Sequence, residues 1–255
     1  MTCIHWDDAF GLLTVHTTDT PEEFRLSYEG WEIVFKLHQP GYRIIHRGSL
    51  PDFYFEERIA QPFIKLLNGA VCLHAGAIAT PRGILLMLAP TCIGKSTITA
   101  SALAFSSAKL VSDDMVCIEG SYPACIRIGS HHIAMRHETF SNETFVTQTS
   151  EIHGKTILHV APDACLDAPM PVSAMLLLQK AEKPEITPIP YDAALPALLA
   201  QQLILSNPTM DFKRDQFKAI IEATRDIPVF QYAINTESRV GCRQSICCLC
   251  DYFNA

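Results

Sequence analysis

The stretch Gly83 to Ser96, GILLMLAPTCIGKS, constrains this chain more than any other. Six apolar residues, Ile84 to Ala89, end at Pro90. A turn follows, and Gly94-Lys95-Ser96-Thr97 then opens a helix-compatible stretch that runs to Phe105. A short apolar run bounded by turn residues reads as a buried strand, so the order is strand, loop, helix. The spacing follows G-x-x-x-x-G-K-[ST], with Ala89 where the first Gly is expected. In that pattern the loop N–H groups surround phosphates, Lys neutralises the β/γ oxygens and Ser/Thr binds Mg²⁺. The candidate nucleotide-binding residues are therefore Ala89, Pro90, Thr91, Cys92, Ile93, Gly94, Lys95, Ser96 and Thr97. Ala89 lacks the ease with which Gly takes a left-handed backbone or lets a ligand approach closely. The bland alternative is a chance G-K-S at a helix start.

With 255 residues the chain can hold one large domain with a smaller appendage. A hydrophobic share of 48% against 18% charged suits a packed core. The net charge of -7 argues against a general nucleic-acid or anionic-membrane binder. Any anionic ligand has to be held by a local device, such as a helix N-terminus. The opening MTCIHWDDAFGLL is acidic and has no basic n-region, so no secretory signal is expected. No apolar run approaches the ~20 residues of a membrane span. The expected location is cytoplasmic, and there the ten cysteines serve mainly as small buried apolar groups.

Short strands are expected at Leu12–His16, Phe24–Tyr28, Trp31–Leu37 and Tyr42–His46, divided by Asp19-Thr20-Pro21, Glu29-Gly30 and Pro40-Gly41. Apolar Phe55, Ile59, Phe63 and Leu67 recur every four residues and mark a helix from Pro51 to Leu67, kinked or split by Pro62. Residues 1–69 thus form a β-meander with a helix, and residues 70–255 the α/β core. In the core, Val71–Ala79 reads as one strand feeding the Gly83 strand through Pro81-Arg82-Gly83. Lys109–Ser112 is a buried strand delivering Asp113-Asp114, and Met115–Ile118 and Ala124–Ile128 continue extended. Residues 130–153 are polar and carry no clear period. Strands follow at Lys155–Val160 and Val172–Gln179, the second central and buried. Asp192–Leu205 and Asp211–Asp226 are helices, each with Asp at its start, where the dipole favours it. Pro228–Ile234 is a late strand and Gly241–Phe253 a closing helix.

Phosphoryl transfer needs a phosphate cradle, a metal and a group that holds or deprotonates the acceptor. Lys95, Ser96 and Thr97 supply the first and part of the second. Asp113 and Asp114, at the end of an apolar strand beyond the loop helix, suit the metal site. Two adjacent carboxylates can divide labour, one binding Mg²⁺ and the other accepting a proton; an ordinary turn pair is the alternative. His74 either orients an Asp or touches the γ-phosphate, or is a satisfied core histidine. His131-His132 and His137 have no Cys or carboxylate at a metal-ligand spacing in the sequence and read as surface or acceptor-site residues. Cys242, Cys247, Cys248 and Cys250 match no paired C-x2-C zinc pattern and read as thiols packed on the last helix.

Taken together, LHAGAIA (73–79), GILLMLAPTCIGKST (83–97) and LVSDDMVCI (110–118) resemble the HPr kinase/phosphorylase superfamily. The resemblance is greatest to its short HPr-kinase-like members, some of which modify ribosomally made peptides of natural-product clusters. It covers roughly residues 70 to 120. It implies a P-loop kinase core of the HPr kinase/PEP carboxykinase type, ATP, Mg²⁺ and a Ser hydroxyl acceptor. By position, Lys95 is similar to the phosphate-contacting lysine and Ser96 to a Mg²⁺ ligand. Asp113 would be the base and share the metal with Asp114, and His74 would assist the Asp or the γ-phosphate. Lys155 would be a further phosphate or acceptor contact. The Gly-rich segment that HPr kinase/phosphorylases carry after the Asp pair has no counterpart here.

The resulting expectation is an ATP-dependent serine kinase acting on a peptide or small protein, with no nucleic-acid or membrane partner and compatible with a homo-oligomer. The alternatives are a nucleotide-binding sensor or partner protein without turnover, and a small-molecule hydroxyl kinase. Cys92 lies within the loop. Its thiol either faces the phosphates or packs into the core for fit.

Overall fold

The computed structural model describes residues 3–7, 12–20, 22–119, 125–126, 130–136, 139–203 and 210–253. It is a mixed α/β structure with two compact units, Met1–Val71 with Leu203–Ile221, and Cys72–Gln202 with Glu222–Ala255. Residues 203–221 thus join the first unit, a return of the chain that the linear reading did not contain.

In the first unit an antiparallel meander runs in sequence order through β1 (Cys3–Asp7), β2 (Leu12–Thr17), β3 (Glu23–Tyr28), β4 (Trp31–Lys36) and β5 (Arg43–His46). The strand β1 was not expected; it is held by pairing with β2. Alternation puts Leu26, Tyr28, Trp31, Ile33 and Phe35 inside. Trp31 stacks on Phe55 with ring centroids 4.4 Å apart, and its indole N–H donates to the Leu50 carbonyl at 3.1 Å. The helix predicted over Pro51–Leu67 forms as α1 (Asp52–Phe55), one wide π turn (Glu56–Ala60) and α2 (Gln61–Leu67). It does not break at Pro62. That residue falls in the first turn of α2, where a missing N–H is tolerated.

In the second unit come β6 (Val71–Leu73, beginning at the unit boundary), β7 (Ala75–Thr80), β8 (Gly83–Leu88), α3 (Lys95–Phe105), β9 (Lys109–Ser112), β10 (Val116–Glu119) and β11 (Cys125–Ile126). Then follow β12 (His132–Met135), β13 (Val146–Ile152), β14 (Lys155–Val160), β15 (Met170–Lys180), β16 (Glu185–Pro188), α4 (Tyr191–Ala200), α5 (Met210–Thr224, spanning both units), β17 (Val229–Ile234) and α6 (Arg239–Phe253). The expected strand Val71–Ala79 is divided at His74, where the chain bends from β6 into β7. Of the strand expected over Ala124–Ile128, Cys125–Ile126 lies within the described residues. The helix expected to Leu205 ends at Ala200, and Ile204 and Leu205 lie outside the described residues. Strands β12, β13 and β16 carried no readable period.

The large sheet is mixed. Its order is β6-β10-β11-β15-β8-β7-β9, with β17 on β15 and β16 on β17. β15 runs parallel to β8 and to β17, whereas β7 is antiparallel to both β8 and β9. Four strands, β8, β9, β15 and β17, therefore end at one edge of the sheet, and β7 begins there. Loops at the carboxyl edge of such sheets are where ligands gather. β15 is central because it is paired on both sides, and Ala174, Met175, Leu176 and Leu178 are buried. Ile98 and Ala102 of α3 and Ile246 and Leu249 of α6 share one core with Met87, Leu176 and Tyr232. On another face, Ala100 and Leu110 join Ile133, Met135 and Leu158 of a separate sheet, β12-β14-β13. Among the described residues no helix is long and apolar enough to cross a membrane.

Leu176 is wholly buried in the central strand. Leu176→Ala should lower unfolding stability by about 2–5 kcal/mol, since the strands on both sides prevent collapse into the void. Chemical denaturation measures it, and a loss below about 0.5 kcal/mol would contradict this core.

Candidate functional site

At the carboxyl edge of the large sheet lies a cleft of about 410 Å³. It is lined by the loop residues Thr91 to Thr97, His74, Asp114, Ala134, Met135, Arg136, Thr139, Lys155, Lys180, Thr236 to Arg239 and Cys242. The cleft thus brings the loop candidates Thr91 to Thr97 together with His74, Asp114 and Lys155, whereas Ala89, Pro90 and Asp113 do not line it.

The loop between β8 and α3 makes its turn at Cys92 (φ 70°) and Gly94 (φ 120°), both in the left-handed region. Ala89 is not there, so the position that lacks its consensus Gly does not need one in this backbone. It is buried, and its carbonyl accepts a hydrogen bond from Lys95 Nζ at 2.6 Å. Gly94 is needed: besides its φ, an added Cβ would come within 3.1 Å of Thr236. From Gly94 the helix starts with no side-chain cap and no acidic residue in its first turn. The first helical bond runs from Ile98 N–H to the Gly94 carbonyl at 2.9 Å. The N–H groups of Lys95, Ser96 and Thr97 precede it, so they are donors without an intrahelical acceptor. An uncapped helix start with its dipole on an open cleft favours an anion.

Lys95 is only 7% exposed. Burial pushes its ammonium below the ordinary lysine value, against the pull of Asp114 and Asp113, and the Lys155 charge adds to the lowering. A buried ammonium bonded to a neutral carbonyl gains from any anion placed beside it.

The two aspartates have different surroundings. Asp113 is 1% exposed, and its Oδ2 accepts from the Ser96 hydroxyl at 3.1 Å and from the Ala134 N–H at 2.9 Å. Asp114 faces the cleft, with Oδ1 3.0 Å from His74 Nε2. The backbone enforces that pair. Ala75 N–H donates to the Asp114 carbonyl at 3.1 Å, and His74 N–H donates to the Gln201 carbonyl at 2.7 Å. A register shift between β7 and β9, from Ala77↔Ser112 to Ile78↔Leu110, lies just before the aspartates. Such bulges re-aim the side chains beyond them. His74 is therefore a cleft residue in a bend, not a core histidine inside a strand.

Cys92 is exposed and lines the cleft rather than packing inward. On α6, Cys242 is buried, Cys247 is exposed, and Cys248 and Cys250 are intermediate, with burial pushing the last two thiols up. His137 lies outside the described residues.

Sequence reasoning missed Arg136, Lys180, Arg239 and the segment Thr236 to Ser238. Arg239 binds Glu143, donates to the Thr139 carbonyl at 3.5 Å and lies over Phe105 and Phe140 at 5.3 and 5.6 Å. It ties the start of α6 to the 139–143 turn. The available signal was position. Arg136 and Lys180 each stand at the end of an apolar strand, β12 and β15, and Thr236 follows β17.

In chemical terms the cleft holds an anion-receptive helix start, a buried ammonium, the Ser96 hydroxyl backed by the buried Asp113, and a histidine-oriented carboxylate. All-oxygen donors of this kind suit Mg²⁺, and the helix start with Lys95 suits a polyphosphate.

No family model matches the chain, and no curated protein matches it. Among solved structures it is similar to the HPr(Ser) kinase/phosphatase from Coxiella burnetii. The TM-score is 0.40 with 14% sequence identity, over 72% of this chain and 90% of that one, a distant structural relationship.

Exposure of Cys92 generates a direct test. N-ethylmaleimide should modify it, MgATP should slow that modification, and Cys92→Ser should resist the accompanying loss of nucleotide binding. Peptide mass spectrometry assigns the site among the other thiols. Equal labelling rates with and without nucleotide would remove this loop from a nucleotide site.

Proposed function

We propose that this chain is an ATP-dependent kinase that transfers the γ-phosphate to a hydroxyl, the acceptor being a Ser side chain of a peptide or small protein. One observation carries the reading. An anion-receptive loop with a buried lysine opens into the same cleft as a carboxylate held by a histidine, two of the three parts that phosphoryl transfer requires.

Lys95 and the N–H groups at the start of α3 hold the β- and γ-phosphates, where charge is greatest as the bond to ADP breaks. Ser96, its hydroxyl held by the buried Asp113, would help hold the Mg²⁺, which would supply charge neutralisation at the phosphates. The acceptor oxygen forms a bond to the γ-phosphorus, the bond between that phosphorus and the β–γ bridging oxygen breaks, and ADP leaves with the electron pair. The acceptor's proton passes to Asp114. This assigns the base to Asp114 rather than to Asp113, the reverse of the family-based expectation. The physical reason is access: Asp113 is buried with Oδ2 committed to Ser96 and Ala134, whereas Asp114 reaches the cleft and is oriented by His74.

Lys95→Ala should reduce transfer by ~10² or more, with the melting temperature little changed. Asp114→Asn should retain nucleotide binding and lose ~10²–10⁴ in turnover, because the amide cannot accept the proton. Asp113→Asn should chiefly weaken Mg²⁺ dependence. If Asp113→Asn removes turnover with metal dependence intact while Asp114→Asn stays active, the two roles are the other way round. If Lys95→Ala turns over normally, the kinase reading fails.

Lys95 must be charged to hold phosphate, and its folded value lies below that of an ordinary lysine. Affinity for MgATP should therefore decline with rising pH before the ordinary lysine value of 10.5 is reached. A flat affinity up to that value, measured by titration calorimetry, would contradict the electrostatic role of Lys95.

A further inference from the structure

The cleft has a second cationic wall that the phosphate loop does not account for. It comes from the small sheet. In the β12–β14 ladder Met135 pairs with Thr156; Arg136 follows the first of these in the chain and Lys155 precedes the second. Arg136 and Lys155 both line the cleft. Among the described residues no carboxylate pairs with Arg136. Composition does not account for two cationic residues on this wall, since the chain carries -7 overall. Lys155 also works against the charge on Lys95, so the two cations sense each other across the cleft.

Resting on the kinase reading above, we propose that Arg136 and Lys155 receive an anionic group on the acceptor itself, so that the phosphorylated hydroxyl belongs to a carboxylate-bearing molecule. The β- and γ-phosphates are already matched by Lys95 and the start of α3. The wall stands apart from that loop in sequence and belongs to a different sheet. A guanidinium beside an ammonium matches a carboxylate by charge-assisted hydrogen bonds. Basic acceptors would meet repulsion at the same place, which makes the wall a discriminating element as well as an attractive one.

The test separates acceptor recognition from nucleotide binding. Two fluorescein-labelled peptides, Ser flanked by Asp and Ser flanked by Lys, are titrated by anisotropy at saturating MgAMP-PNP. A second arm uses unlabelled glycerate, a small hydroxy acid, as competitor and by direct calorimetry. The acidic peptide should bind about tenfold tighter than the basic one, and Arg136→Gln with Lys155→Gln should erase that difference. Lys155→Glu should shift preference towards the Lys peptide, a gain that loss of folding cannot imitate. Glycerate binding that depends on the same two residues, with or without peptide binding, supports the same chemistry on a small acceptor. Equal binding of both peptides together with no glycerate binding overturns the proposal. So does a wall variant that loses AMP-PNP affinity with peptide preference unchanged, which would give the wall to the nucleotide. Normal nucleotide affinity in Lys95→Ala is a different result and strikes the kinase reading alone.

Discussion

The cleft depends on one buried carboxylate. Asp113 Oδ2 accepts from Ser96 at the start of α3 and from the Ala134 N–H in β12, so a single oxygen joins α3, the turn after β9 and the small sheet. A carboxylate at 1% exposure is costly unless hydrogen bonds satisfy it. That cost makes the junction specific, since any arrangement that pulled Ser96 or β12 away would strand the charge. The wall bearing Arg136 and Lys155 is positioned relative to the loop through this contact and through the apolar core that α3 shares with Ile133, Met135 and Leu158.

Strand direction does the rest. Because β8, β9, β15 and β17 end at one edge while β7 begins there, residues far apart in sequence converge without any long excursion. Lys95 follows β8, Asp114 follows β9, Lys180 ends β15, Thr236 follows β17, and His74 precedes β7. The antiparallel placement of β7 is what lets a residue at the start of a strand meet residues at the ends of others. The Ala75–Asp114 backbone bond then fixes the spacing of the His74–Asp114 pair. Against a chain that is acidic overall, the cleft collects cations, a local reversal of field of the kind that attracts anionic ligands.

Much of this was legible beforehand where a local period or spacing carried it. The strand–loop–helix unit around Gly94, the Lys109–Ser112 strand before the aspartates and the buried central strand were readable because each has its own hydrophobic signature. The bend at His74 was not, because VCLHAGAIA is uniformly compatible with an extended chain and only pairing to different neighbours divides it. Strand β13 was hidden by its polar face and β12 by its shortness, and with them the cationic wall. Ala89 looked like a defect in the motif; the left-handed turns instead fall at Cys92 and Gly94, a matter of loop geometry that spacing does not encode.

The amino-acid sequence by itself determined the chemistry available at the cleft: an ammonium and a hydroxyl at a helix start, two adjacent carboxylates after a strand and a histidine before another. Covalent order and residue type suffice for that, because helix starts and buried strands are set by local spacing. Only the tertiary structure decided how those groups divide between core and cleft. Asp113 is covered because β12 and α3 close over it, and Asp114 is open because the chain turns there towards His74. Burial and hydrogen-bond partners are properties of elements brought together from distant parts of the chain, and no local pattern in adjacent, identical residues distinguishes one from the other.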